Sequence, residues 1–276
     1  MRFGSLAPNR APRSRRNECY PRFVSLARSI WITLIAAGCG RLGFDPTTAP
    51  SEYVAVVLAD QPISHYRFGE QAGSLAKDET GARLGRYAAG VVLGVSGAIA
   101  NDDDTAVALD GERGRIDFGD EYGFANRAPF TIEVWVKPDV IGPDVRFVLA
   151  RGGATGGGRG YHIYFNDGAP AWTLFTRTDG AVTAYTDAGG LSTSRFDHLV
   201  ATYDGAISRV YRNGALVDQA SSTTDITLSG AGAFVLGDSE DGIYYKFKGA
   251  FDELAIYDRA LVADRIQAHY AIGVGE

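Results

Sequence analysis

The side chains best suited to chemistry in this chain are its carboxylates, its four histidines and a single cysteine with informative neighbours, and few are spaced for catalysis. Cleavage of a glycosidic bond needs two carboxyl groups about 5–10 Å apart across the scissile bond. The acids of Asp117-Phe118-Gly119-Asp120-Glu121 read as a strand end and the loop after it, and Glu133 stands alone on its strand. Both read as solvated surface acids. His65, His162, His198 and His269 are scattered, with no i, i+4 pair and no HExxH string, so no zinc site is expected. His198 reads as a structural histidine inside a hairpin strand. No serine stands in G-x-S-x-G, which removes the hydrolase nucleophile elbow. The glycine-rich Gly152–Gly160 stretch lacks Gly-Lys-Ser/Thr and precedes a strand. A phosphate-binding loop feeds a helix N-terminus instead, so this stretch reads as a flexible loop. No catalytic residue is assigned.

Cys39 is different. Met1 to Arg28 carry seven arginines and one acid, Glu18, and an apolar run of eight residues, Ile30 to Ala37, follows. A basic segment, a short apolar run and small residues describe an export signal, too short to span a bilayer. Ala36-Ala37-Gly38-Cys39 resembles the lipobox of bacterial lipoproteins, in which the peptidase cuts before the cysteine and its sulfur carries the lipid. It departs from the usual pattern at Ala36, where Leu is commonest. The expected organisation is an export signal over 1–38, a lipid-attached linker over 39–51 containing Pro46 and Pro50, and one domain over 52–276. Gly40, in place of an aspartate after the cysteine, leans toward the outer membrane or cell surface.

Composition supports an exported globular domain. Apolar residues make up 45% of the 276-residue chain, with 14 Tyr, 14 Phe and 3 Trp, too many aromatics for a disordered protein. The net charge of −6 hides an asymmetry. Taking the seven arginines and one glutamate of the leader from 27 basic and 33 acidic residues leaves 20 and 32, a net charge of −12. That balance argues against nucleic acid as a partner. The second cysteine, Cys19, lies in the leader, so the exported domain has no disulfide.

The elements that must position any site are strands. Thirteen short apolar or alternating segments run from His65–Gly69 to Gly249–Tyr257, each closed by Gly, Asn or Asp. Regular short strands with turn signals predict an all-β antiparallel sandwich or jelly roll. His198–Tyr203 and Ile207–Arg212 form a hairpin across Asp204-Gly205-Ala206, and Asn213-Gly214 turns the chain into Ala215–Asp218. A further hairpin joins Tyr161–Phe165 to Ala171–Arg177. Helical period is confined to the end, where Val262, Ile266 and Tyr270 recur every four residues and predict a short C-terminal helix.

Six segments, in order, carry a family resemblance. They are Tyr66-Arg67-Phe68-Gly69-Glu70 with Asp78-Glu79-Thr80-Gly81, Leu109-Asp110-Gly111, Phe130-Thr131-Ile132-Glu133-Val134-Trp135-Val136-Lys137-Pro138, Phe196 to Gly205, Val210-Tyr211-Arg212-Asn213-Gly214, and Lys248 to Leu261. Together they resemble laminin-G-like, concanavalin A-like jelly-roll domains from about residue 60 to 270, with Phe196 where that family usually has Trp. The resemblance implies two antiparallel sheets packed face to face. Glycosidases of this broad fold carry E-x-D-x-x-E on one strand, and no such string occurs here. The resemblance also implies calcium as a candidate cofactor, with Asp78 and Asp252 as ligands and Asp110 and Glu253 as weaker ones. The acids of Asn101-Asp102-Asp103-Asp104 form a separate loop, and consecutive acids cannot all converge on one ion. Trp172, Tyr185, Tyr244 and Tyr245 are the candidate ligand-stacking aromatics, and Trp135 is assigned to the core. The expected function is a non-catalytic binding domain recognising carbohydrate or an envelope or extracellular protein. A polysaccharide hydrolase or lyase, or a structural envelope component, is the alternative.

Overall fold

A computed structural model describes residues 51–124, 126–152, 160–166, 169–176, 180–185, 190–221, 232–239 and 245–276, with backbone alone for 166, 169–176 and 180–185. Cys39, the leader and the linker lie outside them. In chain order the elements are α1 (Glu52–Ala59), β1 (Ser64–Tyr66), β2 (Leu75–Lys77), β3 (Leu84–Tyr87), β4 (Val91–Ser96), β5 (Thr105–Asp110), β6 (Ile116–Asp117), β7 (Phe130–Pro138) and β8 (Arg146–Arg151). They continue with β9 (Gly160–Asn166), β10 (Ala169–Thr176), β11 (Gly180–Tyr185), β12 (Asp197–Tyr203), β13 (Ile207–Arg212), β14 (Ala215–Ser221), β15 (Phe234–Leu236), β16 (Lys248–Tyr257) and α2 (Ala263–Gly273).

The strands form two antiparallel sheets. The first has the order β14-β13-β12-β7-β16-β5-β4, with β1 also pairing β16. The second has the order β11-β10-β9-β8-β15-β6-β3-β2. This is the expected concanavalin A-like sandwich. The hairpins fall where turn chemistry places them. Asn213 and Gly214 take φ of 51° and 77°, the pair of positive values a type I′ turn requires. The β9–β10 pairing likewise matches the expected hairpin.

The sandwich core follows period-2 alternation. Phe130, Ile132, Val134 and Val136 of β7 meet Leu149, Tyr161, Ile163, Phe165 and Phe234 of the second sheet. The other face of β7, carrying Thr131, Glu133 and Trp135, is also buried. Two helices cover it, and a second apolar cluster joins Tyr53 and Val57 of α1, Trp135, Tyr257 and Ile266 of α2. Trp135 is therefore core, but of the helix-covered layer rather than of the space between the sheets.

Helix α2 matches the expected C-terminal helix. Helix α1 departs from the all-β expectation for residues 52–276. Its valines are mediocre helix formers. Two features compensate. The Ser51 hydroxyl accepts the Val54 N–H at 3.4 Å as an N-cap, and Tyr53 and Val57, one turn apart, both bury on the sheet. Strands β2, β3 and β4 were also unanticipated. Strand β4 carries apolar residues on both faces, Val91 and Leu93 half-buried and Val92 exposed, and its pairing with β5 shifts register between Val92 and Val95, with Gly94 at φ +73°.

Candidate functional site

The most polar buried construction lies under the helices. Glu133, expected to be a solvated acid, is fully buried. Its strand position faces outward, but α1 and α2 roof that face. Its Oε1 meets His198 Nε2 at 2.7 Å and accepts the Tyr53 hydroxyl at 3.2 Å, and its Oε2 accepts the Tyr257 hydroxyl at 3.1 Å. His269 Nδ1 lies 3.0 Å from Oε2, and His269 Nε2 lies 2.8 Å from Asp60 Oδ2, which also takes Arg265 Nε at 2.7 Å. Burial alone would push the Glu133 carboxyl up. His269 and His198 outweigh it and hold the group well below the ordinary carboxylate range. Burial also works against a charged His269, and Glu133 and Asp60 overcome it and raise its pKa. The network ties both helices to β7. It has no exposed carboxyl to offer a substrate, so Glu133 is a structural residue, as is His198.

These shifts set a pH profile. Glu133 is depressed in the fold, so its stabilisation exists above its unfolded pKa of about 4.3 and is lost as pH falls. His269 is raised, so its stabilisation is complete below an unfolded pKa of about 6.5 and is lost as pH climbs through the folded value. The expected thermal midpoint is highest near pH 5–6.5 and declines toward pH 9, and His269→Asn removes the alkaline decline. Midpoints by circular dichroism across pH 4–9 check this, and a wild-type midpoint flat from pH 6 to 9 contradicts it.

The four carboxylates proposed for calcium are dispersed. Asp78 accepts the backbone N–H groups of His65 and Thr80 on Oδ1, at 2.9 and 3.0 Å, and that of Arg83 on Oδ2 at 3.2 Å. Asp110 accepts three consecutive N–H groups, of Glu112, Arg113 and Gly114, each at 2.8 Å, which hold its pKa down at about 2. It pairs with Lys248, at the opposite end of β16 from Tyr257. Only Asp252 and Glu253 are adjacent, at a bulge of β16 where Glu253 takes φ +48°. Asp252 accepts N–H from Ala98 at 2.7 Å and from Glu253 at 3.0 Å. Glu253 meets His65 Nε2 at 2.5 Å and accepts from Arg67 Nε at 3.0 Å.

Arg67 also contacts Asp102 at 2.6 Å and Asp104 at 3.0 Å. Two of the three acids of the 101–104 loop, Asp102 and Asp104, thus meet one guanidinium. Glu253 is engaged on both oxygens, by Arg67 and His65, and Asp78 on both by backbone N–H groups, whereas the three N–H groups at Asp110 all meet its Oδ1. Among the described residues no three His, Cys, Asp or Glu side chains come together to hold a metal.

The proposed stacking aromatics divide. Tyr244 lies outside the described residues. For Trp172 and Tyr185 the backbone alone is described. Register pairs Trp172 with Ile163, a core position, and Tyr185 with Ala171, which pairs in turn with Tyr164. Tyr245 is 60% exposed, and the Arg146 guanidinium lies 5.4 Å from its ring centroid. This pair lies near the second sheet's outer side, where Phe147, Ala150 and Val235 form a small buried apolar cluster with Tyr164 packed against it.

The surrounding polar groups are held tightly but incompletely. Arg146 Nη1 donates to the Lys246 carbonyl at 2.9 Å, and Lys246 Nζ reaches the buried Asp238 Oδ2 at 2.7 Å. Asp238 Oδ1, Ser239 Oγ and Arg146 Nε are buried with no hydrogen-bond partner. An acceptor, a hydroxyl and a donor without partners, beside an exposed tyrosine ring, match the needs of a hydroxylated ligand. The sequence drew attention to the 238–245 segment through its tyrosines and acids, but not to Arg146, which comes from a strand some ninety residues earlier. An arginine opening an otherwise apolar strand, Arg146-Phe147-Val148-Leu149, is the signal that could have marked it.

Fold and site together define a two-sheet jelly roll with one exposed tyrosine near buried polar atoms that have no partner within the fold. The model of the concanavalin A-like lectin/glucanases superfamily, in its laminin G form, matches residues 110–267, and the chain belongs to that family. No curated protein matches the sequence. Among solved structures, the binding domain of Paraclostridial Mosquitocidal Protein 1 is similar with a TM-score of 0.60 at 18% identity, over 77% of this chain and 52% of that one. The receptor binding domain of botulinum neurotoxin C/D mosaic serotype gives 0.59 at 13% identity, over 76% and 51%. Domain 4 of AbnA, an extracellular arabinanase from Geobacillus stearothermophilus solved with arabinotriose, gives 0.51 at 21% identity, over 75% and 97%. The chain spans about half the length of the two toxin domains. These likenesses establish the fold.

Proposed function

We propose that this chain is a non-catalytic binding domain that recognises carbohydrate, tethered to a bacterial envelope through lipid on Cys39. The observation that carries the binding reading is the exposed Tyr245 ring beside the buried, unpartnered Asp238 Oδ1, Ser239 Oγ and Arg146 Nε. A sugar stacks an apolar face on an aromatic ring and gives hydroxyls to the polar atoms around it. The arabinotriose-bound domain 4 of AbnA and the toxin binding domains share this fold, which is consistent with the reading. A protein partner docking on the same patch is the other outcome of the test.

A glycan array probed with the domain, with and without calcium, is expected to return a defined glycan class. Tyr245→Ala should weaken the best glycan by about tenfold or more, as for other central aromatic contacts, and Ser239→Ala, which removes a hydroxyl with no partner inside the fold, should weaken it with the fold intact. An array blank under both conditions, or binding indifferent to both substitutions, overturns the assignment to this patch. A calcium-dependent rise in thermal midpoint tests the calcium expectation separately. Metabolic labelling with a fatty acid, lost in Cys39→Ser, tests the anchor.

A further inference from the structure

A second candidate surface lies on the other sheet. A groove of about 420 Å³ opens beside the C-terminal end of α2, with Trp135 and Lys137 of β7, Arg195 and Phe196 ahead of β12, and Gly97 and Gly273 among its walls. The fold builds it by close backbone approach. A Cβ on Gly273 would collide with the Trp135 ring, 2.9 Å from Cη2, and one on Gly97 would stand 2.6 Å from the Asp104 carbonyl oxygen. Neither position has room for a side chain larger than glycine. Phe196 lies one residue beyond the Asp197–Val136 pair, beside Lys137, whose ammonium is held 5.3 Å from the phenyl centroid.

The charge of this groove is opposite to that of the domain. Lys137 and Arg195 both line it, and neither is within ion-pair distance of a carboxylate among the described residues. Acids in the vicinity are already engaged. Asp197 is buried and bound to Ser192 N–H and Asn213 Nδ2, and Asp252 gives its oxygens to the backbone of Ala98 and Glu253. A cavity of this size takes one or two sugar rings. Two cations without carboxylate partners at its rim, Lys137 resting over the Phe196 ring, select a ligand with negative charge, and Phe196 beside them offers an apolar contact to a pyranose.

We propose that this groove is a second binding site, separate from the Tyr245 patch, for a carboxylate-bearing saccharide of the uronic acid type. Lys137 and Arg195 take the carboxylate, and Phe196 packs on the ring. The inference does not depend on the Tyr245 patch being a site.

The test uses calorimetric or NMR titration of the exported domain with trigalacturonate and with its neutral methyl ester. The acid form is expected to bind, the ester to bind at least tenfold more weakly, and the acid's affinity to fall as salt rises. Lys137→Gln/Arg195→Gln should reduce trigalacturonate affinity about tenfold or more, while Tyr245→Ala leaves it unchanged. Retention of the wild-type thermal midpoint confirms that the double variant folds. Equal binding of acid and ester, loss through Tyr245→Ala instead of the cation pair, or no binding at millimolar concentration overturns the proposal. Binding to phosphatidylglycerol vesicles that needs the two cations, without binding to the saccharide, also overturns it and reassigns the groove to a lipid headgroup.

Discussion

Glu133→Gln is expected to destabilise the domain by about 3–5 kcal/mol, the usual cost of removing one partner from a buried charge pair. The carboxylate is buried and takes contacts from His198, His269, Tyr53 and Tyr257. A glutamine keeps the shape but carries no charge, and its amide nitrogen turns one acceptor position into a donor. The raised pKa of His269 rests chiefly on Glu133, so the imidazolium loses its main stabilising neighbour and retains Asp60. Urea unfolding of wild type and variant measures the loss, and a change below about 1 kcal/mol would show that the network is not coupled to folding. A double variant, Glu133→Gln/His269→Gln, separates charge from packing. If the pair acts as a unit, its loss is smaller than the sum of the single losses by about 0.5–3 kcal/mol.

The burial of Glu133 was hidden from the sequence for a physical reason. Alternation on β7 correctly divided its residues between two faces, but alternation says nothing about what covers the second face. The cover comes from α1 and α2, with Tyr53 80 residues before Glu133 and His269 136 residues after it. Both neighbours of Glu133 are apolar, and Trp135 shares its face, which is the one local hint that the outer side is not wet. By contrast, the Asn213-Gly214 turn, the C-terminal helix, the β12-β13-β14 meander and the two-sheet jelly-roll class are legible, because each depends on residues close in sequence or on segments with a family pattern. Tyr245 is exposed, and the Asp78 and Asp110 carboxylates accept backbone N–H groups of the turns beside them. A carboxylate in a turn serves the backbone first. Arg146, Asp238, Lys137 and Phe196 are brought to their sites by sheet pairing across long separations, which no local pattern encodes.

The same geometry fixes the second large effect. Trp135→Ala is expected to cost about 3–5 kcal/mol, the range for emptying a large aromatic site. The indole stacks near Tyr270 with centroids 5.9 Å apart, meets Tyr53 edge-on at 6.1 Å and lies 4.8 Å from the His198 ring. Its Nε1 donates to the Tyr53 hydroxyl at 2.9 Å, and that hydroxyl in turn donates to Glu133. Alanine therefore opens a cavity, strips both helices of a shared contact and leaves one acceptor of the Glu133 network unpaired. Trp135→Phe keeps a ring under Tyr270 and loses the N–H donor, so its cost should be nearer 1 kcal/mol for the hydrogen bond with a packing term added. Because Trp135 belongs to the helix-covered cluster and Phe130 and Phe234 to the inter-sheet cluster, the defect is local. Hydrogen exchange should accelerate in α1 and α2 well before the amides of β7, β8 and β15 are affected. Uniform acceleration across all these elements would mean that the two clusters fold as one cooperative unit. A loss below about 1 kcal/mol in Trp135→Ala would mean that the helices are held by the ionic network alone.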